Sequence, residues 1–297
     1  MKDNSYKEER IQRLLSMAFG ARKSELALSY AVQVLDIDPD VPEALMIKAD
    51  HTENAEERLE HLQHALNVAD NKKNINERKL MIYALKQRTA YTLFTLKRYE
   101  EAYKITDSVV NGVIDPYVAE FYEDSTDVAD LNYRLLIHFQ KWREILSTAM
   151  KDPDNTLAKA YSKMMATFML SQDGDRSVCA RMFWDTLVLG TDVPFYMLGY
   201  KEEPDYDAPM SLERQFDFSL MFFDTLQISV QFFRWYSRGA LLFGLLSNRV
   251  VDDFEAMINV LKSLGGFEEY EAMSKIILEC DDRAIIEMLA AHKCLSK

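Results

Sequence analysis

The clearest pattern of hydrophobic and polar positions lies between residues 89 and 116, where two stretches of helical periodicity flank a short basic turn. Small or apolar residues recur there in steps of three and four, which places each set on one helix face. The first set is Ala90, Leu93 and Leu96, and the second is Ala102, Ile105 and Val109. The pattern predicts a helical hairpin that turns at residues 97–99. Such a hairpin cannot bury its own apolar faces and therefore requires neighbouring helices.

Similar helix pairs recur along the first two thirds of the chain. The spacing predicts units over 8–39, 42–70 and 76–116, followed by two degenerate units over 117–153 and 155–194. The second unit is shorter than the others, and the pattern places the loss in its first helix. Because three such units suffice for a stable array, we expect residues 1–194 to form one continuous helical domain.

The residues of the first unit resemble the tetratricopeptide repeat (TPR). Ala18 lies in the region where the two helices touch, Ala27 fits the early alanine of the second helix, Val34 stands at the later alanine, and Pro39 fits the closing proline. The third unit departs from this pattern at Lys86, where the family prefers an aromatic residue. The resemblance implies an all-α fold, a right-handed superhelix of antiparallel helix pairs, in which the first helix of each pair lines a concave groove.

A second, weaker resemblance covers residues 27–210. The shortened second unit and the later segment 193–199, VPFYMLG, look like the suppressor-of-tumorigenicity-seven family and related bacterial repeat proteins. This resemblance brings no catalytic residue with it.

The periodicity changes after residue 194. Residues 195–210 contain two prolines and four acidic residues without helical period, which predicts an acidic loop. The loop is most simply a solvated linker, and the alternative is that it attracts a cation or a basic partner. Beyond it, a divergent helical lobe is predicted over residues 211–297, with helices over 211–236, 238–247, 252–264, 267–280 and 282–295. The last of these helices are expected to cap the array.

The residues that bind a partner protein are predicted on the first helix of the third unit. They lie on the face that points away from the second helix of that unit. If the TPR geometry applies, this groove face carries Gln87, Arg88, Tyr91 and Phe94. The two aromatic rings supply contact area, and Gln87 and Arg88 can bind a peptide backbone or a carboxylate. The alternative is that Tyr91 and Phe94 pack against the next helix.

Composition narrows the partner classes. The formal net charge of −13, without a run of Lys and Arg, argues against nucleic acid or an anionic membrane as a partner. The apolar stretch 216–246 is interrupted by Asp217, Asp224 and Arg234, so it predicts buried helices and no membrane span. Three widely spaced cysteines and an N-terminus without a signal-peptide pattern predict a cytoplasmic protein with reduced thiols.

No catalytic, cofactor or metal site is predicted. Glu57, His61 and His64 share a helix face and have the residue types of a zinc site, but they also fit the solvated side of an amphipathic helix, which we favour. Cys179 or Cys280 with a distant histidine has the residue types of a nucleophilic site, but lone helical cysteines are usually core residues, which we favour.

These observations favour a non-enzymatic scaffold that binds a protein, as an extended peptide or partner helix, in the groove. Two alternatives belong to other classes. One is a regulator in which a small ligand or peptide changes the pitch of the superhelix, and the other is a structural protein that self-associates as a homodimer through residues 216–246. An enzyme is the least favoured class, because no residue constellation matches a catalytic motif.

Overall fold

The computed structural model describes residues 2–72, 74–112, 115, 117–118, 126–171, 176–249, 254–277 and 280–296. Within these ranges the regular structure is entirely helical, without a strand, which confirms the predicted all-α class. None of the helices in these ranges combines the length and the apolar character that crossing a bilayer requires. The α-helices are α1 (Lys2–Phe19), α2 (Ser24–Ile37), α3 (Pro42–Asp50), α4 (Ala55–Ala69), α5 (Ile75–Thr95), α6 (Tyr99–Val110), α7 (Thr126–His138), α8 (Trp142–Lys151), α9 (Leu157–Leu170), α10 (Ser177–Leu189), α11 (Val193–Met197), α12 (Met210–Phe222), α13 (Val230–Leu246), α14 (Phe254–Ser263), α15 (Phe267–Ser274) and α16 (Asp282–Ala291), and a 3₁₀ helix spans Phe223–Ile228.

Local chemistry fixes several helix starts. The side chains of Asn54 and Asn74 each accept hydrogen bonds from two backbone N–H groups in the first turns of α4 and α5. These N–H groups have no partner within the helix, so an Asn cap stabilises the start. Pro42 begins α3, where the absence of its N–H costs nothing.

The chain divides into two compact units, residues 1–135 and 136–297. In the first unit, each helix from α1 to α5 packs against the next one along the chain, and α3 also contacts α5. The small buried residues Ala31 and Ala44 belong to the core shared by α1, α2 and α3, and Ala65 and Ala84 belong to the core of α3, α4 and α5. Successive hairpins therefore bury one another's apolar faces, as the sequence pattern requires.

The turns before α6 and α8 have the same geometry. Lys97 and Gln140 adopt positive φ angles of 59° and 54°. The next residue then donates its N–H to a carbonyl five positions back, from Arg98 to Leu93 over 2.8 Å and from Lys141 to Leu136 over 2.9 Å. This bonding closes the end of one helix, and the next helix begins after three intervening residues.

The same two turns also share their side-chain chemistry. An aromatic residue, Tyr99 or Trp142, begins the second helix in each case. The preceding basic residue pairs with a glutamate three positions later, through Arg98–Glu101 at 2.7 Å and Lys141–Glu144 at 2.9 Å. The fourth helix pair of the sequence pattern thus repeats the turn of the third.

The second unit is organised around α13. This helix contacts α9, α11, α14, α15, α16 and the 3₁₀ helix. At Gly239 an added Cβ would lie 2.6 Å from Leu295 and 2.8 Å from Phe183, so only glycine permits this close approach.

Tyr161 of α9 packs beside α13. The Tyr161 hydroxyl is 2.9 Å from the Thr225 hydroxyl. The rings of Phe218, Phe222, Phe232 and Tyr236 meet Tyr161 nearly edge-on.

Three predicted helix boundaries in this unit were wrong. The predicted break at Ser237 does not exist, because α13 runs through it and the chain breaks at Ser229, whose hydroxyl accepts the Phe232 N–H over 3.2 Å. The helix predicted over 267–280 ends at Ser274. The last helix ends at Ala291, before positive φ angles at Lys293 and Leu295.

The predicted acidic loop is shorter than expected, because residues 195–197 belong to α11 and Met210 begins α12. The predicted domain limits at residues 194 and 210 remain predictions. The predicted end of the third unit at Pro116, residues 119–125 of the following unit and the start of the helix predicted from 252 lie outside the described residues.

Candidate partner-binding surfaces

The four predicted groove residues lie on one face of α5, and each is half-buried. The opposite side of the helix is buried and includes Leu85, Ala90 and Leu93. Gln87, Arg88, Tyr91 and Phe94 therefore lie on a partly exposed side of α5, near the exposed Thr95. Arg88 and Phe94 contact neighbouring helices.

The Nε of Arg88 lies 2.9 and 3.0 Å from the two carboxylate oxygens of Asp50 at the end of α3. The ion pair fixes the guanidinium across the first helices of two successive pairs. Both side chains are more than one third exposed, so the pair orients Arg88 and contributes little to stability.

The ring centroid of Phe94 lies 5.4 Å from that of Tyr99 on α6, and the guanidinium of the buried Arg134 on α7 lies 5.5 Å from the Phe94 ring centre. These contacts match the alternative interpretation, in which the aromatic side chain packs on neighbouring helices. Phe94 thus contributes to packing and presents only part of its ring at the surface.

The histidines of α4 do not meet as metal ligands. His64 Nε2 lies 2.8 Å from Asp40 Oδ1, and this contact joins α4 to the turn before α3. Burial, followed by the nearby Lys48 ammonium, lowers the pKa of His61 below its ordinary value. In the part of the chain that the structure describes, no group of three His, Cys, Asp or Glu side chains has a metal-binding arrangement.

The cysteines show core behaviour. Cys179 and Cys294 are buried, and Cys280 is half-buried. Burial, together with the charge of Glu269, raises the pKa of the Cys294 thiol to about 11. The thiol is therefore protonated at neutral pH, which is the unreactive form.

A buried ion cluster in the second unit was missed by the sequence analysis. Asp192, only 4% exposed, accepts hydrogen bonds from Lys201 Nζ at 2.6 Å and from Arg249, and Arg249 also pairs with Asp282. Burial acts to lower the pKa of Arg249, but the hydrogen bonds and charges of Asp282 and Asp192 raise it overall. No local sequence signal marks the cluster, because its members are far apart along the chain.

The apolar segment 216–246 is largely internal. Twelve of the residues of α13 are buried. Four larger apolar side chains of the segment 216–246 are exposed, namely those of Leu220, Phe223, Val230 and Phe233. The segment proposed as a dimer interface therefore offers a few apolar side chains at the surface.

No protein-family model, curated protein or solved structure matches this chain. The TPR and suppressor-of-tumorigenicity-seven resemblances stay predictions from the sequence pattern.

Proposed function

We propose that the chain is a non-enzymatic protein-binding scaffold and that residues 1–194 are a TPR-like array of helix pairs forming a right-handed superhelix. The observation that supports this most directly is the side-chain chemistry shared by the turns before α6 and α8. In each, an aromatic residue begins the second helix and the preceding basic residue pairs with a glutamate three positions later. A repeat array needs one connection geometry that recurs, since each pair must present the same faces to its neighbours.

The proposed partner is an extended peptide or a helix that binds along the exposed part of α5. Gln87, Arg88 and Tyr91 are half-buried, and the Asp50 carboxylate orients Arg88 before any partner arrives. Preorganised side chains lose less conformational entropy on binding. A partner carboxylate or backbone carbonyl would find an arginine that is already held in position.

This proposal is tested by capturing partners from a lysate of the native host on the immobilised protein. Wild type is compared with a Tyr91→Ala/Phe94→Ala variant and with a Leu26→Ala/Val32→Ala control, in which two exposed apolar residues of α2 are truncated. We expect the same proteins to bind wild type and control and to be lost from the α5 variant. Circular dichroism must show that the variant keeps its helical content, because Phe94 contacts Tyr99 and Arg134.

Loss of helical signal in the double variant would mean that Tyr91 and Phe94 include core residues. The single Tyr91→Ala variant then decides whether α5 carries the binding surface. Equal capture by all folded variants would contradict a binding surface on α5. A reproducible thermal shift with a small molecule, without any captured protein, would favour the ligand-sensing alternative.

A further inference from the structure

An apolar groove of about 480 Å³ opens on the surface of the second unit. Its walls come from the segment after α11, the 3₁₀ helix, the first half of α13 and the end of α14. The apolar walls include Leu198, Tyr200, Phe223, Val230, Phe233 and Val260. Among the lining residues, only Gln227, Ser237 and the Tyr200 hydroxyl add polar side-chain groups.

The side chains at this groove are exposed to an unusual degree. Val230 is 74% exposed, Phe223 is 49% and Phe233 is 42%. Single exposed apolar residues are ordinary, but several that share one concave surface mark an interaction site. The groove is therefore a candidate docking surface, separate from the face of α5.

Several acidic residues are close along the chain to residues that line the groove. Glu202 and Glu203 follow the lining residue Tyr200 within three positions, which limits their backbone distance from it to about 11 Å. Both are exposed, as are Asp205 and Asp207 further along the same segment. Asp224, next to Phe223, is exposed on the 3₁₀ helix.

Of three nearby cations, one is paired with a carboxylate and two contact uncharged groups. Lys201 is bound to the buried Asp192. Arg234 donates to the Ser263 carbonyl over 3.3 Å, and the Lys262 ammonium lies 4.7 Å from the centre of the Phe267 ring. Arg234 and Lys262 keep their positive charges, but the exposed carboxylates of segment 202–207 and of Asp224 outnumber them. This charge balance favours a positively charged partner.

The apolar walls also limit the backbone conformation of that partner. An extended peptide would bring unpaired N–H and C=O groups against side chains that offer few hydrogen bonds, and such burial is costly. A helix satisfies its own backbone groups and can present a purely apolar face. We propose that this groove binds an amphipathic α-helix of a partner protein, with its apolar face on Phe223, Val230 and Phe233 and its basic residues toward the acidic segment 202–207.

A second copy of this chain is a poorer occupant. A two-fold interface through the groove would bring two acidic segments together, and each chain already carries a formal net charge of −13. Like charges facing each other oppose association.

The test measures fluorescence anisotropy with a fluorescein-labelled 14-residue peptide that carries leucine on one helix face and lysine on the other. A second peptide with glutamate in place of lysine serves as the charge control. We expect the full-length protein to bind the lysine peptide at least about tenfold more tightly than the glutamate peptide, with a preference that shrinks as salt is added.

Two variants locate the binding. Val230→Ser/Phe233→Ser removes exposed apolar contact and should weaken binding about tenfold, and Glu202→Gln/Glu203→Gln should weaken it about threefold at low salt. Leu220→Ser removes an exposed leucine of α12 that does not line the groove, and Glu8→Gln/Glu9→Gln removes two exposed charges of α1. Both controls should bind within about twofold of wild type.

Four results would each overturn the proposal. Two concern the variants: unchanged binding in the Val230/Phe233 variant, or an equal loss of binding in the matched controls. Two concern the peptides: equal binding of both, or no binding of the lysine peptide. A dimeric mass in light scattering that becomes monomeric in the Val230/Phe233 variant would also overturn it, in favour of a second copy. Identical thermal unfolding of the variants and wild type shows that the fold is retained. This assay does not measure binding to α5. If the groove proposal fails, the scaffold proposal is still decided by the capture experiment with the α5 variants.

Discussion

At the scale of single residues, Asp192 illustrates how a buried charge is tolerated. A carboxylate out of contact with water is costly unless it is paired and hydrogen-bonded. Here Lys201 and Arg249 supply the opposite charges, and the Asp192 N–H donates to Gln215 Oε1 over 2.9 Å. The cluster connects the start of α11 to the segment that forms one wall of the apolar groove.

We expect Asp192→Asn to lower the free energy of unfolding by about 2 kcal/mol, because the half-buried Arg249 and Lys201 lose their shared partner. Urea denaturation followed by circular dichroism measures this as a lower midpoint with an unchanged slope.

Asp185→Asn is the control for this prediction, since Asp185 is an exposed carboxylate on α10 and should have a midpoint close to wild type. Equal midpoints for the two variants would mean that the buried pairs add nothing to stability.

Phe94 shows what periodicity leaves undetermined at the same scale. The sequence pattern placed it correctly on one face with Gln87, Arg88 and Tyr91, because a helix repeats every 3.6 residues. It could not show that Tyr99 and Arg134 approach that face, since Arg134 comes from a helix 40 positions further along the chain. A helical wheel gives the direction of a side chain but not its neighbours.

At the scale of elements, the recurring turn before α6 and α8 carries strain that glycine would relieve. Lys97 and Gln140 hold positive φ angles, which cost about 1 kcal/mol or more in residues with a Cβ atom. Both side chains extend from exposed positions at the ends of their helices.

Lys97→Gly and Gln140→Gly should therefore each raise the free energy of unfolding by about 0.5 kcal/mol, after the greater freedom of glycine in the unfolded chain is subtracted. Denaturant midpoints of the two variants should both increase. Lys104→Gly, at an exposed position inside α6, is the matched control and should lower stability by about 1 kcal/mol. A decrease at either turn position would show that the turn is not held in this conformation.

Helix boundaries followed from the sequence where a cap or a proline marks them, as at Asn54, Asn74 and Pro42. The error near Ser237 has a different origin. Both Ser229 and Ser237 are plausible caps by residue type, but Ser229 caps α13 and Ser237 lies buried inside it. Packing of α13 decided which serine ends the preceding element.

At the scale of the whole molecule, the C-terminal residues close the second unit. The indole N–H of Trp235 donates to the Leu295 carbonyl over 3.0 Å, and the Arg176 N–H donates to the Ser296 carbonyl over 3.0 Å. Leu295 itself is buried, and α16 packs against α10 and α13. The last helices therefore cover apolar residues that would otherwise face water.

Truncation after Gly266 removes α15 and α16 and should leave a helical but aggregation-prone protein, because Trp235, Phe183 and their neighbours become exposed. Light scattering across a concentration series, with binding of a hydrophobic dye, measures this. A monomeric truncated chain with unchanged dye binding would contradict the capping role.

The sequence by itself determined the all-α class, the succession of helices up to α10 and the face of α5 that carries Gln87, Arg88, Tyr91 and Phe94. These features follow from residues that are near one another along the chain, so local periodicity and caps contain them. Only the tertiary structure decided that α13 is the central helix of the second unit, that Arg249 joins Asp192 and Asp282, and that Phe223, Val230 and Phe233 line one groove. Each of these depends on contacts between distant segments, and a linear pattern of apolar and polar residues does not record which segments meet.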